Sequence, residues 1–203
     1  MRAPILRVSE ESLERAAGVV RGGGLVIYPT DTVYGLGCNP FDEPAVTRLL
    51  KVKGRVDKPL PILVGSLEDA AELAELSTVA YKVVERYWPG ALTLVVRAKV
   101  KLPGIKLGSV GLRMPGHRVA LKLIRLCGGS LVGTSANISG MPSPLTAEEA
   151  ASQLGDKVDL IIDGGRTSLG LSSTVLDLTG DRPKVLRAGP VAPAELLRFL
   201  CVE

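Results

Sequence analysis

Residues 9–30 read SEESLERAAGVVRGGGLVIYPT, and this stretch decides the fold class of the chain. Apolar side chains recur at helical spacing from Leu13 to Val20, acidic residues stand in the first turn, and three glycines follow Arg21. This pattern predicts an amphipathic helix with a glycine stop. The apolar run LVIY comes directly after the glycines and predicts a buried strand. A helix followed at once by a buried strand favours an α/β chain.

The rest of the sequence continues this alternation. About seven apolar runs predict strands, and roughly six or seven amphipathic segments predict helices. Several connections are short enough to be antiparallel, so we expect a mixed parallel and antiparallel sheet flanked by helices. No repeat, low-complexity tract or linker interrupts the 203 residues, of which 46% are hydrophobic. We therefore expect a single α/β domain over residues 1–203.

The composition restricts the class of protein. No apolar run approaches the roughly 20 residues that span a bilayer, and the N-terminus becomes charged before a signal-peptide core could form, so we expect a soluble, cytoplasmic protein without a membrane partner. Cys38, Cys127 and Cys201 are far apart and form no C-x-x-C pair, so neither a disulfide framework nor a zinc site is suggested. The net charge of +4 is compatible with an anionic partner such as a nucleotide or a nucleic acid.

The sequence lacks the residues of several common catalytic sites. It contains no Walker motif, and the glycines at 22–24 precede a strand instead of opening a helix, so no dinucleotide fingerprint is present. The only histidine, His117, stands where a helix is predicted to begin, and we therefore do not expect a Ser-His-Asp hydrolase. No cysteine has an evident base or cation beside it that would make it a nucleophile.

The chain does contain a set of short polar segments, most of them directly after a predicted strand. Each segment alone has a plain structural explanation: a turn, a solvated run of charges, or a strand-end arginine held by a surface carboxylate. Ligands of α/β sheets bind at strand ends, however, so the segments could converge on one site. Hydroxyls, amides, lysines and arginines without a general base favour anionic ligands, and phosphoryl or nucleotidyl transfer fits this set best. The segments are Thr30–Thr32, the basic loop at 51–60, Ser109 to Arg113, the loop VGTSANISGMPSP at 132–144, Ser172–Thr174 and Arg187.

Seven longer stretches contain these segments or lie between them. They are, in order along the chain, YPTDTVYGLGC (28–38), KGRVDKPLPILV (53–64), WPGALTLVV (88–96), VGLRMPGH (110–117), TSANISGMPSP (134–144), SSTVLDL (172–178) and VLRAGP (185–190). In this order the stretches resemble the YrdC-like family of threonylcarbamoyl-AMP synthases. The resemblance implies an open, twisted mixed α/β sheet with a concave basic site. It further implies the condensation of L-threonine, bicarbonate and ATP into threonylcarbamoyl-AMP and pyrophosphate, for threonylcarbamoyl-adenosine modification of tRNA.

The same resemblance assigns roles to individual residues. Thr32, Arg113 and Ser173 would hold threonine. Lys53 and Arg55 would be catalytic, because their charges would offset the negative charge that develops at the α-phosphate when the threonine carbamate attacks it. The carbamate is already an anion, which explains why no general base is needed. The ATP-binding residues would be Arg55, Lys58, Ser109, Ser135, Asn137, Ser143 and Arg187.

Cofactor and partners follow from the same family. Magnesium is expected with ATP, held largely by phosphates and water without a protein cage, with Asp163 as a candidate neighbour. Further partners would be tRNA or double-stranded RNA and a downstream threonylcarbamoyl transferase complex. Lys58 and Leu63 depart from the Asn and the threonine-contacting His that some longer relatives have there, and the chain resembles the single-domain type that lacks their extra C-terminal domain.

Two other functions remain open at this point. The first is an RNA-binding module of the same fold, which would use basic residues to bind phosphates. The second is a related enzyme that forms a carbamoyl-adenylate with another acceptor. Thr32, Arg113 and Ser173 distinguish the first alternative, because a protein that binds only phosphates would not need them.

Overall fold

The computed structural model describes residues 2–54, 60–103 and 108–201. These ranges contain seven helices and twelve strands. The helices are α1 (Glu10–Arg21), α2 (Glu43–Lys53), α3 (Leu67–Leu73), α4 (Thr78–Tyr87), α5 (Arg118–Leu126), α6 (Ala147–Leu154) and α7 (Pro193–Cys201). The strands are β1 (Ile5–Arg7), β2 (Val26–Tyr28), β3 (Gly35–Gly37), β4 (Ile62–Val64), β5 (Ala74–Glu75), β6 (Leu92–Ala98), β7 (Ser109–Arg113), β8 (Ser130–Val132), β9 (Thr134–Ser135), β10 (Leu160–Asp163), β11 (Thr174–Asp177) and β12 (Lys184–Arg187).

The strands form two sheets. One has five strands in the order β1-β10-β2-β3-β9, and the other has seven, in the order β12-β11-β6-β7-β4-β8 with β5 on β6. Each sheet combines parallel pairs, such as β10 with β2 and β4 with β7, and antiparallel pairs, such as β2 with β3 and β6 with β7. The predicted mixed pairing is therefore confirmed, whereas the prediction of one sheet with about seven strands is wrong. Strands β3, β5 and β9 have only two or three residues, too few for a periodic apolar signal.

Helix α1 confirms the helix predicted at the start of the chain. The Ser9 hydroxyl accepts the backbone N–H of Ser12, and the Ser12 hydroxyl accepts that of Ser9, which satisfies two donors that a helix start leaves without partners. The apolar face from Leu13 to Val20 is buried in a hydrophobic cluster with residues of β2, β10 and α5. Because β2 follows α1 after only a short glycine turn, this packing fixes the strand whose end carries Thr30–Thr32.

The two sheets meet where β3 passes β8. The backbone N–H of Val132 donates to the carbonyl of Cys38 at 3.0 Å, and the buried Tyr28 hydroxyl donates to the Val132 carbonyl at 3.0 Å. A Cβ at Gly37 would lie 2.5 Å from that carbonyl oxygen, so only glycine allows the two strands to approach this closely. One residue later, the chain crosses at Gly133 from β8 in the seven-stranded sheet to β9 in the five-stranded sheet.

Within the described ranges, no helix is long and apolar enough to cross a membrane.

The close approach at Gly37 gives a prediction about stability. We expect Gly37→Ala to lower the free energy of unfolding by about 1–3 kcal/mol, because the added methyl group forces the strands apart. Gly18→Ala is the matched control: Gly18 lies inside α1 with open space where the Cβ would stand, so the same change should raise this free energy by about 0.5–1 kcal/mol. Urea denaturation measures both, and equal effects of the two substitutions would contradict the prediction.

Candidate active site

A cavity of about 600 Å³ lies between residues of the two sheets. Its volume suits a small-molecule ligand. The five-stranded sheet and the turn after β2 contribute Tyr28, Thr30, Thr32, Val33, Gly35, Thr134 and Ser135 to the lining. The seven-stranded sheet and its connections contribute Pro61, Leu63, Thr93, Arg113, Gly133, Ser172, Ser173, Leu186 and Arg187.

Arg113 is fixed on one wall of this cavity by three partners. Its Nε donates to the Gly90 carbonyl at 2.8 Å, its Nη1 donates to the Thr32 hydroxyl at 2.9 Å, and its Nη2 forms an ion pair with the Asp31 carboxylate. Burial lowers the pKa of the guanidinium, the Asp31 carboxylate opposes this shift, and the group remains protonated at neutral pH. Of the five N–H bonds of a guanidinium, two are left for a ligand.

A second network of hydroxyls and an arginine lies on the same seven-stranded sheet, on β6, on β12 and at the residue before β11. The Ser173 Oγ lies 2.7 Å from the Thr93 hydroxyl and accepts a hydrogen bond from Arg187 Nη2 at 3.2 Å. Arg187 Nε also donates to the Ser173 carbonyl at 2.9 Å. Ser173 and Thr93 are buried, whereas Arg187 stands exposed on the edge strand β12. Arg113 and Arg187 therefore both contribute positive charge to the cavity wall.

The loop at 133–144 is held to the end of α2 by Lys53. This side chain is 0% exposed, and its ammonium donates to the carbonyls of Ser135 and of Asn137, the latter at 2.7 Å. The Asn137 amide nitrogen in turn donates to the Met141 carbonyl at 2.7 Å. A buried ammonium needs such oxygen partners because burial removes it from bulk solvent. These contacts fix the backbone that carries Ser135 in the cavity wall.

The structure brings together some of the predicted site residues and not others. Thr32, Arg113 and Ser173, predicted to bind threonine, line the same cavity, together with Ser135 and Arg187 from the predicted ATP set. The other predicted residues that the structure describes, which are Lys53, Ser109, Asn137 and Ser143, do not line it. Arg55 and Lys58 lie outside the described residues, so their predicted roles stay predictions.

Two residues of the site were not assigned from the sequence. Thr93 is buried in β6 with its hydroxyl on the cavity wall, and the signal was a single hydroxyl inside the apolar run ALTLVV. Asp31 lies within the polar segment Thr30–Thr32, but its ion pair with Arg113 joins residues 82 positions apart and has no local sequence signal. His117 is the N-cap of α5 and lies off the cavity, with Nδ1 buried and without a hydrogen-bond partner among the described residues.

The cavity can orient an anionic ligand, and its lining has no obvious proton-transfer group. Among the described lining residues there is no His, Cys, Lys, Asp or Glu. Apart from the arginines, Tyr28 is the one described lining residue with an ionisable side chain. Its hydroxyl is buried and donates to a carbonyl, and burial raises its pKa, so it stays protonated. Two arginines and several hydroxyls are suited to binding carboxylate or phosphate oxygens.

Comparisons with known proteins identify the family of the chain. The sequence profile of the Sua5/YciO/YrdC family, which is described as "Telomere recombination", matches residues 18–189. The threonylcarbamoyl-AMP synthase of Pyrococcus abyssi is 45% identical over 199 residues, which cover 96% of this chain and 58% of that protein. A putative threonylcarbamoyl-AMP synthase of Mycobacterium tuberculosis is 44% identical over 196 residues, which cover 93% of this chain and 88% of that protein.

Solved structures show the same similarity. The crystal structure of P. abyssi Sua5 complexed with L-threonine superimposes with a TM-score of 0.94 at 43% identity, over 98% of this chain and 61% of that one. The crystal structure of E. coli YciO gives a TM-score of 0.87 at 27% identity, over 96% of this chain and 98% of that one. The chain thus spans about three fifths of the P. abyssi protein and nearly all of YciO. With a profile match over most of its length and close relatives on both measures, the chain belongs to the Sua5/YciO/YrdC family.

Proposed function

We propose that the chain is an L-threonylcarbamoyladenylate synthase, a nucleotidyltransferase that condenses L-threonine, bicarbonate and ATP to threonylcarbamoyl-AMP, pyrophosphate and water. The observation that carries the proposal is the convergence of Thr32, Arg113 and Ser173 on one cavity that also contains Ser135 and Arg187. The relatives named as threonylcarbamoyl-AMP synthases and the relative crystallised with L-threonine support it.

The amino acid would occupy the wall around Arg113. The two remaining N–H bonds of the guanidinium can pair with a carboxylate, and Asp31 keeps the guanidinium from rotating away. A carboxylate there would gain charge-assisted hydrogen bonds in a site largely closed to water, since Arg113 is only 6% exposed.

The nucleotide would occupy the side of the cavity with Ser135 and Arg187. An oxygen of the threonine carbamate would attack the α-phosphorus, and the bond from that phosphorus to the bridging oxygen of pyrophosphate would break. The enzyme then has to position two anions and offset their charge, which arginines and hydroxyls do without proton transfer. Arg55, Lys58, Ser109, Asn137 and Ser143 remain proposed ATP contacts.

We assign Lys53 a positioning part in this site. Its ammonium is bound to loop carbonyls, so the described contacts support an effect through the backbone of Ser135. The prediction that Lys53 and Arg55 themselves offset charge at the α-phosphate stays a prediction.

Magnesium, RNA and the cell compartment belong to the same proposal. Among the residues that the structure describes, no three His, Cys, Asp or Glu could hold a metal ion together, so magnesium would be bound mainly by ATP phosphates and water, where it neutralises part of their charge. Asp163, whose carboxylate accepts the N–H of Gly165, stays a proposed neighbour. The product would pass to a threonylcarbamoyl transferase complex that acts on tRNA, with the chain in the cytoplasm.

The proposed activity predicts pyrophosphate release from ATP that needs both threonine and bicarbonate. A coupled pyrophosphate assay with magnesium measures it, and mass spectrometry identifies the adenylate. Release that is the same without threonine would contradict the proposal. Replacing threonine by serine or another amine tests the alternative of a different acceptor.

The Arg113→Lys substitution tests which substrate the guanidinium binds. Lysine keeps the charge but loses the two-pronged hydrogen bonding, so we expect the KM for threonine to rise by about 10- to 100-fold with a smaller change in the KM for ATP. Arg15→Lys, at an exposed position of α1, is the matched control and should leave both values unchanged. If the chain is instead an RNA-binding module, neither the wild type nor the Arg113→Lys variant shows threonine-dependent activity. Its affinity for RNA then falls steeply as the salt concentration rises.

Lys53→Met tests the part of the buried ammonium. We expect the free energy of unfolding to fall by about 1–3 kcal/mol, because loop carbonyls lose a buried donor, and the KM for ATP to rise as Ser135 loses its fixed position. Lys51→Met, on the exposed face of the same helix two residues earlier, should change neither quantity. A loss of kcat with wild-type stability and KM would show that Lys53 acts directly on the reacting phosphate.

A further inference from the structure

The proton of the Thr30 hydroxyl points in one fixed direction. Thr30 is 3% exposed, and its Oγ1 lies 2.7 Å from the carbonyl oxygen of Val33. A carbonyl oxygen cannot donate, so the proton of this contact comes from Thr30. The backbone N–H groups of Thr32 and Val33 lie 3.1 and 3.3 Å from the same Oγ1. These two longer contacts share one lone pair of the oxygen, which leaves its second lone pair for one further donor.

This arrangement determines the orientation of the Thr32 hydroxyl. The two threonine Oγ1 atoms are 2.9 Å apart, and because the Thr30 proton points to Val33, the proton between them is that of Thr32. Arg113 Nη1 donates to the same Thr32 oxygen at 2.9 Å. A hydroxyl oxygen has one proton and two lone pairs, so Thr32 has a single lone pair left and no proton to offer.

The wall formed by Thr93 and Ser173 has the reverse polarity. The Ser173 and Thr93 hydroxyls share one hydrogen bond of 2.7 Å, and Arg187 Nη2 donates to the Ser173 oxygen. One proton lies between the two hydroxyls, and the other proton of the pair has no acceptor in these contacts. This wall can therefore donate, as can the two remaining N–H bonds of Arg113, whereas Thr32 can only accept.

We propose that Thr30 is a positioning residue that fixes Thr32 Oγ1 as the acceptor for an N–H or O–H hydrogen of the bound amino acid. A carboxylate is repelled by the lone pair of Thr32 and is directed to Arg113 and the Ser173–Thr93 pair. Thr30 thus decides which end of the amino acid faces each wall. The inference rests on the proposed function and extends it to Thr30, whose hydroxyl donates its proton to a backbone carbonyl and not to the substrate.

The test compares Thr30→Val, which keeps the shape and removes the hydroxyl, with Thr30→Ser, which keeps the hydroxyl. Without the Thr30 hydroxyl, the Thr32 hydroxyl can rotate and direct its proton toward the substrate. We expect Thr30→Val to raise the KM and the calorimetric Kd for threonine by about tenfold, the effect of one hydrogen bond to a charged group, with the KM for ATP within about twofold of wild type. Thr30→Ser should restore wild-type values.

Thr167→Val is the matched control for removing a buried threonine hydroxyl. Thr167 is buried and its Oγ1 has no hydrogen-bond partner among the described residues, so its loss should leave both KM values unchanged. If Thr30→Val does not fold, Thr30→Cys, with a weak donor and acceptor of similar size, should give the same preferential loss of threonine binding.

The outcomes separate this inference from the proposed function. A wild-type protein without threonine-dependent pyrophosphate release overturns the proposed function. An active wild type whose Thr30→Val variant binds threonine normally, loses ATP binding equally, or is not rescued by serine overturns the part assigned to Thr30. L-2-aminobutyrate, which lacks the hydroxyl of threonine, identifies the hydrogen that Thr32 accepts. If Thr30→Val also weakens binding of this analogue about tenfold, Thr32 accepts the N–H. If Thr30→Val does not affect binding of the analogue, Thr32 accepts the O–H.

Discussion

The buried ion pair between Asp31 and Arg113 is the interaction on which the candidate site depends. Asp31 follows a strand of the five-stranded sheet, and Arg113 ends a strand of the seven-stranded sheet. Removing two charges from water is costly, and Arg113 offsets part of this cost through its further hydrogen bonds to Gly90 and Thr32. The Asp31 backbone carbonyl also accepts the N–H of Leu169 and the hydroxyl of Ser168, so one residue fixes the guanidinium and a neighbouring loop.

The remaining walls are held in the same way, by groups whose polar atoms are used within the protein. Lys53 and Asn137 hold the loop that carries Ser135, and Thr30 holds Thr32. Such a site needs little rearrangement when a ligand enters, because the hydroxyls and guanidinium groups are already oriented. This matters for the proposed reaction, which would join three small substrates and in which binding geometry would replace acid–base chemistry.

Local signals in the sequence were sufficient for much of the fold. The glycine stop after α1 acts over a few residues, and it is found in the structure. The pairing of strands is not local. The run SLVGT reads as one strand, yet it divides at Gly133 into β8, which pairs with β4, and β9, which pairs with β3. Only contacts with residues far away in the chain decide that division.

The site shows the same limit. Thr32, Arg113 and Ser173 were predicted from motifs and do line one cavity. Arg113 ends β7, Ser173 directly precedes β11, and Thr32 lies in the connection from β2 to β3. Thr93 was missed because one hydroxyl in an apolar strand has no pattern of its own. Lys53 lies in a basic run that suggested solvent or phosphate contact, but Gly54 ends α2 in a left-handed conformation and the Lys53 side chain is buried under the loop. Burial of a charged residue depends on which segment covers it, and sequence spacing does not contain that information.

The crossing at Gly133 links two positions that are far apart in the chain. A Cβ at Gly133 would lie 2.3 Å from Leu63 Cγ, so the bare backbone and the leucine side chain occupy complementary space in the cavity wall. A side chain at position 133 is compatible only with a smaller residue at position 63, and a larger residue at 63 requires glycine at 133. These two positions are therefore expected to covary among homologues, and the shape of the cavity would diversify through paired replacements rather than single ones.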